Sequence, residues 1–279
     1  MLLEGAIGDA YGVPFEYANE NLKYNDLSKY IKHPTHGLIP GQFSDDTQMS
    51  TAIAELMLSD LEWTPYNIVS KFIEVFKRDE RKGYSKLFQE FLERTSTPEE
   101  FLANIKGDSD KSGGAMRASC IGYYKTVEEV LEKTTIQCSI THGSPHGIAA
   151  ARAASLLSWA MLNNIHPKEA GKFIYELVPD FDWRQDYVGK VKSKGFMSSQ
   201  AAITAVRRNK KLSELLKDCI NFSGDVDTVA TIAMSAASCS AFYEKDIPQV
   251  LVETLENGTY GKDYLIKLDE RLTTKYGNK

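Results

Sequence analysis

Residues Ile148 to Leu162 read IAAARAASLLSWAML, a run whose one charge is Arg152 and whose small and apolar side chains surround the whole helical cylinder. A helix with no polar face has to be covered on every side. Val229 to Phe242 (VATIAMSAASCSAF) repeats the pattern with no charge at all. Two such central helices require amphipathic ones around them, and the flanking sequence supplies these. Ile68-Val69-Phe72-Ile73-Val75-Phe76, Leu87-Phe91-Leu92, Val127-Val130-Leu131 and Leu212-Leu215-Leu216-Ile220 recur at three- and four-residue spacing among charges. Alternating strand-like runs are almost absent. The expectation is an all-α, many-helix bundle.

Helix starts are marked as well. Pro65, Pro98, Pro145, Pro167 and Pro248 open helical patterns, and Thr64, Thr97, Ser144 and His166 precede four of them. Neither a linker nor an internal repeat divides the chain, so residues 1–279 are expected to form one domain. Two longer irregular stretches, Asn19 to Phe43 and Lys106 to Gly114, are places where function is often carried. A net charge of -5 without a dense basic run argues against a nucleic-acid surface. The first residues lack a basic and apolar leader, and no stretch reaches the ~20 apolar residues of a membrane span, so a cytoplasmic protein without membrane attachment is expected. Cys120, Cys138, Cys219 and Cys239 are scattered through apolar contexts and read as reduced core thiols.

The chemistry concentrates in two places. Ser44-Asp45-Asp46-Thr47 and Ser223-Gly224-Asp225-Val226-Asp227-Thr228 each bring a loop into a helix with two carboxylates and neighbouring hydroxyls. One acid or hydroxyl per helix would serve as an ordinary N-cap. Two acids ahead of a helix with almost no polar face imply a carboxylate drawn out of water, which needs a partner. If the pairs converge, each close pair repels by about 4 kcal/mol at ~4 Å and an effective dielectric near 20. Divalent cations would relieve that repulsion, and an all-oxygen set suits Mg²⁺ or Mn²⁺ rather than zinc. Spacing alone leaves open whether the two helix starts meet. The glycine-rich Asp108-Ser109-Asp110-Lys111-Ser112-Gly113-Gly114 reads either as a solvated turn or as a backbone cradle for a diphosphate.

Taken together, these motifs resemble the ADP-ribosylglycohydrolase family. The matching pieces, in the family's order, are Gly5-Ala6-Ile7-Gly8-Asp9-Ala10-Tyr11-Gly12 followed by Glu16, then Ser44-Asp45-Asp46-Thr47, Ser112-Gly113-Gly114-Ala115-Met116-Arg117, Thr141-His142 and Gly224-Asp225-Val226-Asp227-Thr228. The resemblance implies an all-α domain that uses two Mg²⁺ or Mn²⁺ ions to cleave the bond between ADP-ribose and an acceptor. Carried over by position, Ser44, Asp45, Asp46, Asp225, Asp227 and Thr228 are the metal ligands. Ser109, Ser112, Gly113 and His142 line the ADP-ribose, and Glu16 acts with Asp46 and Asp227 in catalysis. Asp9 supports the centre or the helix packing.

Lys111 and Ser112 depart from the family's glycine and asparagine, and Val226 stands where the family often has a hydroxyl. No ligand is lost by these changes. Arg117 reads equally as a structural ion-pair partner and stays outside the site. His33 and His36, with no further ligands nearby, read as surface residues rather than a metal site. Trp63, Trp159 and Trp183 read as packing residues. The acceptor stays open among arginine, serine, a nucleic-acid end and acetylated ADP-ribose, and so does the oligomeric state. A catalytically silent ADP-ribose binder and a hydrolase of another nucleotide or glycosyl substrate are the alternatives.

Overall fold

The computed structural model describes residues 1–35 and 37–277. In chain order the helices are α1 (Leu2–Gly12), α2 (Asp45–Leu58), α3 (Pro65–Arg78), α4 (Lys86–Arg94), α5 (Pro98–Asn104), α6 (Gly113–Met116) and α7 (Val127–Ser139). They continue with α8 (Pro145–Leu162), α9 (Pro167–Leu177), α10 (Gly195–Arg208), α11 (Leu212–Asn221), α12 (Val226–Ala237), α13 (Gln249–Thr254) and α14 (Lys262–Tyr276). Short 3₁₀ turns join some of them. Among the described residues there is no sheet, only isolated β-bridges, and the all-α expectation holds.

Local chemistry sets the helix starts. Thr64, Thr97 and Ser144 each accept a hydrogen bond from the third backbone N–H of the helix that follows, with proline in the first position. His166 caps α9 one position earlier, its Nδ1 accepting from Lys168 N, the second residue of the helix, at 3.2 Å. Proline in the first position gives up an N–H that would have no helical partner anyway. Pro248 precedes α13 as its N-cap.

The two polar-face-free runs are α8 and α12, and both sit in the middle of the molecule. α12 packs against α1, α8, α10, α11 and α2, while α8 is covered by α6, α7, α9, α10 and the 3₁₀ turn Ser119–Tyr123. Every residue of α12 is buried. The expected run Val229 to Phe242 is corrected at its end, because the helix stops at Ala237. There Cys239 N and Ser240 N turn back to Ala236 O and Ala237 O, and the Lys245 ammonium takes the last carbonyls of Ala237 and Ser238. A cation on the final carbonyls is a normal way to close a helix.

Outside this pair, α3 buries Ile68, Val69, Phe72, Ile73, Val75 and Phe76, each contributing about 1.5–3 kcal/mol. Cys120, Cys138 and Cys219 are buried and Cys239 is partly so, all as free thiols. Trp183 is fully buried, with its indole N–H donated to Val178 O at 2.7 Å. No helix of the described residues is long and apolar enough to cross a membrane.

Candidate active site

The site begins with how closely two helices approach. Gly5, Gly8 and Gly12 share one face of α1, and that face lies directly on the α12 backbone. A Cβ at Gly8 would stand 2.7 Å from Ala230 O, and one at Gly12 would stand 2.4 Å from Asp227 Cα. Only hydrogen fits there. The contact brings Asp9, on α1, and Glu16, just beyond it, to the start of α12.

Asp9 is fully buried and joins α1 to the first acidic motif. Its carboxylate accepts from Ser44 N at 3.0 Å, Ser44 Oγ at 2.8 Å, Thr47 N at 3.0 Å and Thr47 Oγ1 at 2.6 Å. The Ser44 hydroxyl is also the N-cap of α2, accepting from Asp46 N at 3.3 Å. Asp9 thus fixes the first turn of α2 to α1. Ser44 is held by both neighbours with one lone pair left for a ligand.

A segment not anticipated from sequence closes over the same motif. Buried Arg81 pairs with Asp79 and Glu256 and donates to Phe43 O at 3.1 Å, while Glu256 accepts from Phe43 N at 2.9 Å. Two residues later Gly83 has φ +121, and a Cβ there would lie 2.3 Å from Asp45 Oδ1. The backbone of residues 79–85 therefore clamps the chain entering α2. No local pattern marks these residues, because Arg81 and Glu256 lie far apart in sequence.

The second motif is held from the other side. Asp225 accepts from Ser198 Oγ of α10 at 3.0 Å and from Thr228 Oγ1 at 3.2 Å. Its backbone is pinned by a hydrogen bond from Asp225 N to Val191 O at 3.1 Å. Gly224 bridges to Glu16, and Tyr17 N donates to Gly224 O at 2.9 Å.

His33 completes this arrangement. Thr35 N donates to its Nδ1 at 3.0 Å, so Nε2 carries the proton and donates to Glu16 O at 2.9 Å. His33 is 6% exposed, which corrects the surface reading. Its burial is explained by these two backbone bonds. His36 lies outside the described residues.

Both motifs open into one cavity of about 610 Å³, lined by Glu16, Asp45, Asp46, Asp225, Asp227 and Thr228 among others. Ligand-capable oxygens of Glu16, Asp225 and Asp227 lie within 4.8 Å of one another. Asp46 Oδ2 and Asp227 Oδ1 are buried without a hydrogen-bond partner, a costly condition unless a cation meets them.

The protonation behaviour follows. Burial and then repulsion from Asp225, Asp45 and Asp9 push Glu16 up to about 8. Burial and Asp9 push Asp45 up to about 7. Burial, with the neighbouring acids, raises Asp46 and Asp227 well above the usual carboxylate range. Carboxylates alone, with hydroxyls between them, fit a hard divalent cation.

The glycine-rich loop lines the same cavity through Ser109, Ser112, Gly113 and His142. It is anchored by Ser144 Oγ donating to Ser109 O at 2.8 Å and Gly195 N donating to Asp110 O at 3.0 Å. The helix that follows it is the single turn α6, so little dipole stands behind the loop. His142 Nδ1 pairs with Thr141 Oγ1 at 2.7 Å. Burial and the charge of Arg117 push His142 down to about 3, so it is a neutral ring.

Arg117 meets neutral oxygens: Gln137 Oε1 at 2.7 Å, Gly113 O at 2.8 Å and Thr141 Oγ1 at 2.8 Å. It holds the loop to α7. No ion pair to Arg117 is found among the described residues, which corrects the ion-pair reading.

Fold and site define an all-helical protein built around an oxygen-only acid cluster at the floor of a ligand-sized cleft. The chain belongs to the ADP-ribosylglycohydrolase family, whose model matches residues 1–279; this is a family of hydrolases acting on ADP-ribose linkages. It is 25% identical to the ADP-ribosylhydrolase ARH3 of Xenopus tropicalis, covering 88% of this chain and 87% of that protein. It is 20% identical to a putative ADP-ribosyl glycohydrolase of Acanthamoeba polyphaga mimivirus, over 92% of this chain and 89% of the other. A solved structure described as an ADP-ribosylglycohydrolase-related protein complex superposes with a TM-score of 0.73, covering 98% of this chain and 95% of that one at 20% identity. That likeness is one of fold.

Proposed function

We propose that this single domain hydrolyses the bond between ADP-ribose and an acceptor, a protein side chain or a small conjugate, with two Mg²⁺ or Mn²⁺ ions. Ser44, Asp45, Asp46, Asp225, Asp227 and Thr228 would hold them, with Glu16 near enough to join. The observation that carries the reading is the pair of buried, unpartnered oxygens, Asp46 Oδ2 and Asp227 Oδ1, in a cleft where Glu16 and Asp225 bring oxygens within 4.8 Å of one of Asp227. Bound cations would supply positive charge to the ribose hydroxyls and a more acidic water.

The chain's own groups do the rest. Water adds at the anomeric carbon, the bonding pair leaves with the acceptor, and the acceptor takes up a proton. Glu16 is fixed by His33 through its carbonyl and by Tyr17 through the Gly224 bridge, and its carboxyl stands where it can deliver that proton or take one from water. Neutral His142 and the Ser109–Gly113 loop offer hydrogen bonds to the nucleotide. Asp46 and Asp227 fix the geometry of the reacting end.

The test is release of ADP-ribose from arginine, serine, nucleic-acid-end and acetyl conjugates, with Mg²⁺, with Mn²⁺ and with chelator. Turnover that survives Asp46→Ala or Asp227→Ala at saturating metal refutes the assignment. Tight ADP-ribose binding without turnover of any conjugate would favour a silent binder instead.

A further inference from the structure

One residue beside the acids carries backbone strain that packing does not offset. Among the described residues four non-glycines have a left-handed backbone: Tyr17, Leu27, Asn164 and Ser223. Asparagine adopts that region readily. Leu27 is 4% exposed, so burial of its side chain offsets the strain. Ser223 leads directly into the Asp225 motif. Tyr17, at φ +49, is a bulky side chain in a region that costs free energy, and it is 48% exposed, so burial returns little. A strained residue of this kind at the edge of a site points to a role in the site.

Backbone bonds set where the ring stands. Tyr17 N donates to Gly224 O, and Gly224 in turn bridges to Val191. Lys190, the residue before Val191, places its ammonium 5.2 Å from the Tyr17 ring centroid, and its own carbonyl accepts from Tyr187 Oη at 2.9 Å. Tyr17 lines the cavity beside Glu16. Burial, and then the charges of Asp225, Glu16 and Asp227, raise its hydroxyl above the usual phenol range, so the charges that reach the ring are those of the acids. Residues 190–194 run from this ring to the bridge between Lys194 and Lys111, which belongs to the glycine-rich loop. Ring and loop stand at opposite ends of one segment.

We propose that Tyr17, with Lys190 against its ring, contacts the acceptor that leaves when the ADP-ribose bond breaks. The inference rests on the ADP-ribose reading above. In that reading the bond breaks at the acids and the loop of residues 109–113 takes the nucleotide on one side of them. The Tyr17 ring, one residue beyond the Glu16 carboxyl that delivers the proton, takes what lies on the other side. A half-exposed aromatic face gives an acceptor apolar contact without anything else having to move.

The test follows the conjugate that the wild type turns over fastest, with calorimetric binding of ADP-ribose, which has no acceptor, as the control. Tyr17→Gly removes the ring but accepts the left-handed backbone and keeps the N–H to Gly224. It should raise KM for the conjugate about fivefold with kcat and the affinity for ADP-ribose each within about twofold, the signature of lost binding rather than lost chemistry. Tyr17→Phe should recover the KM. Tyr17→Ala, which lacks the ring and keeps the strain, should share the KM of Tyr17→Gly and melt below it. An unchanged KM in Tyr17→Gly, a fall in kcat alone, or an equal loss of ADP-ribose affinity overturns the acceptor contact. A wild-type chain that releases ADP-ribose from no conjugate overturns instead the functional reading beneath it.

Discussion

Replacing Asp227 by Asn should make the metal-free protein more stable and the metal-loaded protein less so. Oxygens of Asp227, Glu16 and Asp225 lie within 4.8 Å of one another, where one ionised pair costs about 3 kcal/mol at an effective dielectric near 20. Neighbouring groups relieve part of this by holding protons. The direction of the pH effect follows from Glu16, raised from 4.5 to about 8 by burial and the acids around it. Between those values the folded chain keeps a proton that the unfolded chain has released, so stability falls as pH rises. The full contribution is present below pH 4.5 and gone above about 8. Asp227→Asn leaves the burial of Glu16 in place and removes one pair repulsion, about 3 kcal/mol, which is the most it can return at high pH.

At roughly 2.1 cal/mol/K of unfolding entropy per residue, this chain of 279 residues turns 3 kcal/mol into about 5 °C. With chelator, Asp227→Asn should therefore melt up to about 5 °C above wild type at pH 8.5 and within about 1 °C of it at pH 4.5. Mn²⁺ at about 1,000 times its dissociation constant adds about 4.1 kcal/mol to the wild type and much less to the variant, so the order of the two reverses. Scanning calorimetry in both conditions is the assay. If Asp227→Asn is the less stable protein in chelator at pH 8.5, repulsion among these acids is not what the fold carries, and the argument for cations loses its physical ground.

Gly83→Ala should lower both melting temperature and metal-dependent turnover, since the new methyl at φ +121 meets Asp45 Oδ1 at 2.3 Å. Strain of this kind costs about 1–3 kcal/mol, and Mn²⁺ titration followed by melting would show a weakened site. Arg81→Ala strips the clamp from Phe43, Asp79 and Glu256; removing one member of a buried ionic cluster costs about 3–5 kcal/mol, and pairing it with Glu256→Gln in a double-mutant cycle measures the coupling. Lys111→Gln should raise KM for an ADP-ribosylated substrate about tenfold at low salt and less at high salt, with kcat unchanged, because an exposed cation lining the cavity acts through screened attraction. A salt-independent KM in the wild type would remove that role.

What could be read from the residues alone was the chemistry carried by short runs. The Thr-Pro and Ser-Pro starts, the uncharged cylinders of α8 and α12, and the two acid pairs all announce themselves within a few positions. The sites that escaped reading depend on meetings across the chain. His33 lies in an irregular loop, and only the fold shows that its ring takes the Glu16 carbonyl. Arg81 has meaning only beside Glu256, and Gly83 only beside Asp45. Tyr17 follows Glu16 directly, yet nothing in the residues marks a left-handed backbone at a tyrosine.

The glycines of α1 link these two levels. Were Gly8 or Gly12 any larger, α1 would stand off α12, and Asp9 and Glu16 would withdraw from Asp225 and Asp227. The acids would then be individually hydrated and easily borne, and no cation would be needed among them. Tight packing at Gly12 is therefore the cause of the crowding, and crowding is the source of the orphaned oxygens at Asp46 and Asp227. Helix packing of this closeness favours the fold through contact between α1 and α12, while the same contact loads the cleft with unfavourable charge. The stability of the empty protein and its affinity for a divalent ion are in this way set by one interface: larger residues along the α1 stripe should lower both, whereas removing a charge at the acids should raise the first and lower the second.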